Sequence, residues 1–226
     1  MTVILQLETA TRTCSVALSL NGETLALKES TDAEYTHSEK LFSYIQTIML
    51  ENKKTMCELS AVAVSSGPGS YTGLRIGVSA AKGICTGLSI PLIGIETSYL
   101  LAVAAKKQFP HADYFIPMID ARRMEVYSAL YSGQLELIEK VKPKVLDENF
   151  YSQIDVNSKI IFCGDGVEKY KSVSIFKNAV YLTDAVPSSA NMSSEAFRKL
   201  QQNLTEDVAY FEPNYLKEFV TQAKFQ

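Results

Sequence analysis

Val3-Ile4-Leu5-Gln6-Leu7-Glu8, Thr13-Cys14-Ser15-Val16-Ala17-Leu18-Ser19-Leu20 and Thr24-Leu25-Ala26-Leu27-Lys28 follow one another at the start of the chain, with Asn21-Gly22 between the last two. Aliphatic and β-branched runs of this length read as strands, and Asn-Gly accepts the positive φ that a two-residue hairpin demands. The stretch is a three-stranded meander. Helical spacing takes over at Leu41, Ile45 and Ile48, and Thr36 with Glu39 forms a capping-box signature ahead of them. A buried strand, Ala61-Val62-Ala63-Val64, then runs into Gly67-Pro68-Gly69. A helix is expected from Thr72 to Leu88, with Pro91 beyond its end. Leu92–Ile95 reads as a strand, and Thr97 as the cap of a helix over 98–107.

The order then repeats. Tyr114–Ile119 reads as a strand ending in Asp120, with Glu125–Tyr131 and Leu135–Lys140 as partners around the turn Ser132-Gly133. A short helix near Asp147–Gln153 follows. Next come a strand Lys159–Cys163 running into Gly164-Asp165-Gly166, a strand Ala179–Leu182 and a helix Ser188–Leu200. Each half opens β-β-β-α-β, and each first strand ends in an acid, Glu8 or Asp120. The doubled pattern predicts an α/β, two-lobed, duplicated ribonuclease-H-like fold with mixed sheets, the architecture of the actin, hexokinase and Hsp70 class. The lobes are expected at 1–108 and 109–226, the second the smaller, with the helix near 188–200 packing back on the first.

Composition narrows the function classes. The 226 residues carry 22 basic and 25 acidic side chains, a net charge of −3, so the chain lacks the clustered positive charge that grips a nucleic-acid backbone. Arg75 and Lys82 interrupt the best apolar run, so no membrane span is expected. The opening has no basic leader and no small-residue cleavage site, which argues against secretion. Cys14, Cys57, Cys85 and Cys163 are scattered without a C-x-x-C pair, so the expectation is reduced thiols in a cytoplasmic protein, with no zinc or dithiol site.

The candidate chemistry is thin. A nucleotide cradle in this fold class needs a phosphate-binding turn from each lobe and an acid that positions a cation. Glu8-Thr9-Ala10-Thr11 is a candidate turn, but Asp120-Ala121-Arg122 has no glycine to admit a phosphate. Gly67-Pro68-Gly69-Ser70-Tyr71-Thr72-Gly73 ends in Thr-Gly-Leu rather than Gly-Lys-Ser/Thr, and Pro68 removes a donor; a structural turn is expected there. His37 and His111 are too far apart in sequence for a pair at close helical spacing, and no metal site is expected. His37, in the first turn of its helix, is expected to be neutral and to serve structure or an interface. The helix after the glycine turn carries Gly73, Gly77, Gly83 and Gly87. Each interior glycine costs about 1 kcal/mol relative to alanine, so a close backbone approach must offset them. Gly73, Gly77 and Ala80 or Ala81 share one face, which packs either on the chain's own sheet or on another chain.

These residues carry a resemblance. Leu5-Gln6-Leu7-Glu8-Thr9-Ala10, Cys14-Ser15-Val16-Ala17-Leu18, His37-Ser38-Glu39-Lys40-Leu41 and Ser66-Gly67-Pro68-Gly69-Ser70-Tyr71-Thr72-Gly73-Leu74-Arg75-Ile76-Gly77 resemble the bacterial TsaB (YeaZ) family, and Ile119 to Tyr127 and Gly164-Asp165-Gly166 are similar to its second lobe. The resemblance implies a non-catalytic paralogue of TsaD in the synthesis of N6-threonylcarbamoyladenosine in tRNA, with no cofactor of its own. TsaD would carry the metal, the nucleotide and the transfer to tRNA. A TsaE-like ATPase would join, the free chain would form a homodimer through an overlapping surface, and tRNA would be met only indirectly.

Carried over residue by residue, the interface falls on Gly67, Pro68, Gly69, Ser70, Tyr71, Thr72, Gly73, Leu74, Arg75, Gly77, Val78 and Ala81, with His37 and Leu41 of the neighbouring helix. Arg75 is its polar anchor. Leucine at Gly77 is then expected to abolish partner binding while the monomer stays folded. The chain departs from the family at Glu8-Thr9-Ala10, where Asp-Thr-Ser is usual, at Tyr71 for phenylalanine, and at Lys217 for arginine in Pro213-Asn214-Tyr215-Leu216-Lys217. Two alternatives stand beside this reading: an ATP-dependent small-molecule kinase of the actin-like fold, and a ribonuclease-H-like nuclease, which would need several carboxylates around two metals.

Overall fold

The computed structural model describes residues 1–31, 37–147, 149–171 and 174–216. Thr36, half of the expected capping box, and Lys217 lie outside the described residues. The first sheet has the order β3-β2-β1-β4-β5, built from β1 (Val3–Glu8), β2 (Thr13–Leu20), β3 (Glu23–Thr31), β4 (Ala61–Gly67) and β5 (Leu92–Glu96). The meander is antiparallel, and β4 and β5 continue it in parallel from β1. Asn21 and Gly22 sit at φ 50° and 90°, the left-handed pair that closes this hairpin. The second sheet repeats the order as β8-β7-β6-β9-β10, from β6 (Tyr114–Asp120), β7 (Glu125–Ser132), β8 (Leu137–Val145), β9 (Ile160–Cys163) and β10 (Val180–Leu182). Pairing senses match strand for strand.

Alternation assigns the faces. Leu5, Leu7, Val62 and Val64 point to one side of the first sheet, under α1 (His37–Glu51) and α2 (Tyr71–Leu88). The α1 stripe Leu41, Ile45, Ile48 fills that layer. Ile4, Ala61, Ala63 and Ile93 point to the other side, under α3 (Thr97–Gln108) and, beyond the short α4 (Val167–Lys171) of the second lobe, α5 (Ser193–Gln201). This second face carries a buried polar seam. The Gln6 amide donates to Ser19 Oγ at 2.9 Å and Ser193 Oγ at 3.1 Å, and the Ser15 and Ser189 hydroxyls pair at 2.6 Å. The seam fixes the segment around α5 on the first sheet by paired hydrogen bonds rather than by grease alone. α3 serves both sheets: Leu100 packs on the first, while Leu101 and Ala105 pack with Phe115 and Tyr131 of the second.

Among the described residues the expected helix near 147–153 is not formed. Phe150 and Tyr151 lie in turns and fill the second core with Leu146 and Ile154. Tyr151 at φ 56° breaks any helix there and lets two consecutive aromatics turn inward, with the Tyr151 hydroxyl 3.2 Å from that of Ser128. Helix 188–200 is a 3-10 turn, Ser189–Met192, followed by α5. Thr97 is the first helical residue rather than the cap; Glu96 takes the cap position.

Candidate functional site

The long motif at 66–77 is a docking surface for its own chain. Ser70 caps α2, its hydroxyl accepting the Gly73 N–H at 3.2 Å, and the Ser70 N–H reaches the Ala10 carbonyl at 2.6 Å. A Cβ on Gly69 would stand well under 3.0 Å from the Ala10 carbonyl, one on Gly73 equally close to the Thr9 carbonyl, and one on Gly77 equally close to the Thr9 hydroxyl. Thr9 Oγ1 donates to the Gly73 carbonyl at 2.7 Å. The glycine stripe thus seats the turn that leaves β1. Gly73, Leu74, Gly77, Val78 and Ala81 are buried inside the chain, and so are His37 and Leu41 of α1. His37 Nε2 lies 3.3 Å from the Thr13 carbonyl. None of these seven presents a surface, and the expectation that Gly77 could be enlarged in a folded monomer is corrected: its missing side chain is where Thr9 sits.

The remaining motif residues divide between two depressions. Pro68, Gly69, Ser70, Tyr71 and Thr72 border a cleft of about 530 Å³ between the sheets, while Gly67, also buried, lies beneath the Asn214 carbonyl. Arg75 lines the other, a groove of about 610 Å³ between α1 and α2. There Phe42, 58% exposed, faces a bed of Ser79, Ala80 and Gly83 edged by Ile76 and Ile84. Phe42 is one position off the buried α1 stripe, so the residues that pack α1 leave it outside. Among the described residues, nothing beyond the helix's own neighbouring backbone comes within 4 Å of a Cβ on Gly83 or Gly87, so no described side chain packs against either. Beside the buried stripe, Arg75-Ser79-Gly83 forms a second one at the same i, i+4, i+8 spacing, exposed and rotated away from the sheet.

Of the two strand-end acids, Glu8 is shut inside the fold and Asp120 borders the cleft. Glu8 is fully buried; its Oε1 accepts the Ala10 N–H at 2.5 Å and its Oε2 has no hydrogen-bond partner among the described residues. Burial, with a smaller push from the Glu29 charge, raises its carboxyl to about 8 against the opposing hydrogen bonds from Ala10 and Ser65. Burial thus favours the neutral acid at Glu8 over the carboxylate that a cation would need. Asp120 accepts the Arg122 N–H at 2.7 Å and pairs with Lys169, whose ammonium also reaches the Arg123 carbonyl at 2.6 Å. Gly164-Asp165-Gly166 is a packing turn: Gly164 has φ 114°, and a Cβ there would lie 2.6 Å from the Met118 carbonyl.

Two sheets of identical strand order flanking a cleft define a duplicated ribonuclease-H-like protein of the actin class, here with an open helix-pair groove on the first lobe. A family model described as TsaD, tRNA N6-adenosine threonylcarbamoyltransferase, matches residues 30–225. The protein named tRNA threonylcarbamoyladenosine biosynthesis protein TsaB from Escherichia coli (strain K12) is 29% identical over 232 residues, covering 98% of this chain and 97% of that one. Its namesake from Buchnera aphidicola subsp. Acyrthosiphon pisum (strain APS) is 30% identical over 190 residues, covering 81% and 85%. The solved structure of YeaZ from Pseudomonas aeruginosa has the same fold, with a TM-score of 0.86 over 96% of this chain and 100% of that one at 23% identity. The chain belongs to the TsaB family of tRNA threonylcarbamoyladenosine biosynthesis proteins. The kinase alternative is not favoured.

Proposed function

We propose that this chain is the non-catalytic subunit of cytoplasmic tRNA threonylcarbamoyladenosine synthesis, and that it docks a TsaD-like catalytic partner through the α1–α2 groove. The observation that carries the reading is the groove itself: an exposed Phe42 beside Ser79 and Gly83, small residues that let a partner helix approach closely. A second copy of the chain uses the same face when the partner is absent, a TsaE-like ATPase joins the assembly, and tRNA is held by the partner. The non-catalytic part is supported by the burial of Glu8, which pushes its carboxyl up, and by the pairing of Asp120 with Lys169: neither strand-end acid stands open to a cation. The proposed lobes divide near residue 108, with α3 bridging them.

The test is reconstitution. Threonylcarbamoyladenosine in tRNA is measured by nucleoside mass spectrometry in a mixture of TsaD-like and TsaE-like subunits from the same organism. Product is expected with this chain and lost without it, and Glu8→Ala is expected to support nearly full product. Full product in the absence of the chain, or loss on Glu8→Ala in an assembled complex, would overturn the reading.

A further inference from the structure

The terminal motif Pro213-Asn214-Tyr215-Leu216 does work that the docking reading leaves unassigned. After α5 the chain turns back and runs along α2. Glu206 bridges to Leu92 on the open edge of β5, its N–H reaching the Leu92 carbonyl at 2.8 Å. Lys82 of α2 holds the carbonyls of Ala209 and Phe211, both at 3.0 Å. The Asn214 N–H closes on the Ser66 carbonyl at 2.7 Å. Gly67 and Gly94 leave room for this course, since a Cβ on either would stand about 3 Å from the strap: 3.0 Å from the Asn214 carbonyl, and 2.9 Å from Glu206 Oε1. The strap ends at Arg75. Tyr215 packs on Tyr71 with ring centroids 4.9 Å apart, the Arg75 guanidinium lies 4.0 Å over the Tyr71 ring, and Arg75 Nε donates to the Tyr215 hydroxyl at 3.3 Å. Arg75 is also the guanidinium that lines the α1–α2 groove.

We infer that residues Leu204–Leu216 form a strap that orders Arg75 for partner docking, with Tyr215 as its positioning residue. The inference rests on the docking reading above. An unrestrained arginine gives up its rotamer freedom when it binds; one already held by a ring face and a hydroxyl loses less, and the difference appears as affinity. The partner group that Arg75 meets is a carboxylate or a cluster of carbonyl oxygens, the acceptors that suit a planar fork of donors.

The experiment is a double-mutant cycle on binding to the TsaD-like partner, read by titration calorimetry. The variants are Tyr215→Phe, which keeps the ring and removes the hydroxyl, Tyr215→Ala, Arg75→Ala and the pairs. Tyr215→Phe is expected to weaken binding roughly threefold and Tyr215→Ala roughly tenfold, and both effects are expected to vanish when Arg75 is already alanine. Circular dichroism checks folding, and Tyr215→Phe keeps the test open if the alanine variant unfolds. If Arg75→Ala weakens binding while Tyr215→Phe and Tyr215→Ala do not, the strap does not position Arg75 and the inference fails with the docking reading intact. Tyr215 effects that persist at full size without Arg75 also overturn it. If neither Arg75→Ala nor Ser79→Arg alters affinity, the docking reading itself fails and the inference falls with it.

Discussion

Gly77→Ala and Gly83→Ala make the same chemical change at two faces of one helix, and the structure gives them opposite signs. Each replaces a helical glycine and so gains up to about 1 kcal/mol of helix propensity. At Gly83 no described residue beyond the helix's own neighbouring backbone lies within 4 Å of the new methyl, so the gain stands, at about 0.5–1 kcal/mol. At Gly77 the methyl would stand well under 3.0 Å from Thr9 Oγ1. Thr9 is fully buried and spends its hydroxyl on the Gly73 carbonyl at 2.7 Å. Swinging the hydroxyl away strands a buried polar group, at about 1–3 kcal/mol. Holding it in place overpacks the helix against the turn, at a similar 1–3 kcal/mol. Gly77→Ala is therefore expected to lose up to about 2 kcal/mol net. Urea denaturation followed by circular dichroism measures both variants, and Thr9→Ala in the Gly77→Ala background is expected to recover part of the loss. A Gly77→Ala chain as stable as Gly83→Ala would refute the seating of Thr9 on the glycine stripe.

The buried Glu8 makes stability fall with rising pH. The unfolded chain releases this proton near 4.5 and the folded chain keeps it until about 8, so the stability it contributes is fully present below 4.5 and lost as pH climbs to 8. The loss is on the order of 4 kcal/mol. Glu8→Gln is expected to flatten that slope in denaturation series at pH 5, 6.5 and 8; an unchanged slope would mean the carboxyl ionises in the fold. Among the thiols, Cys57 is exposed while Cys14, Cys85 and Cys163 are buried, and burial pushes the Cys85 thiol up to about 11 and Cys163 higher still. A disulfide reagent is expected to modify one thiol of the native chain rapidly and the other three only on unfolding; two fast thiols would contradict the packing around Cys14, Cys85 or Cys163.

The sheets were legible in the sequence because their signals are local. Asn21-Gly22 dictates its own hairpin, and the aliphatic alternation of β1 and β4 assigns their faces from residues within one strand. β8 runs on to Val145, past the expected end at Lys140, because Pro143 lies on an edge strand where its missing N–H costs little. The glycines of α2 announced a close approach but not its partner. Whether Gly73 and Gly77 meet Thr9 or another chain depends on which strand end lies beneath the helix, a contact 64 residues apart in sequence. For that reason the burial of Gly73, Gly77 and Ala81 was not legible in the sequence: this stripe packs inside the fold, and the exposed stripe beside it, Arg75-Ser79-Gly83, carries a weaker pattern. The strap has no period at all. Phe211, Asn214 and Tyr215 acquire meaning only from the helix they lie along.

The most direct measurement is light scattering on a sizing column, with the chain alone, mixed with the TsaD-like subunit of the same organism, and again as Ser79→Arg. Ser79 is exposed on the floor of the groove, so a guanidinium there fills the space a partner helix would take and leaves the core untouched. The wild-type chain is expected to elute in a mixed complex whose mass includes both subunits, and the folded Ser79→Arg chain is expected to elute apart from the partner. A Ser79→Arg chain that joins the complex as tightly as wild type, or a wild-type chain that ignores the TsaD-like subunit, would contradict the assignment of the α1–α2 groove as the docking face.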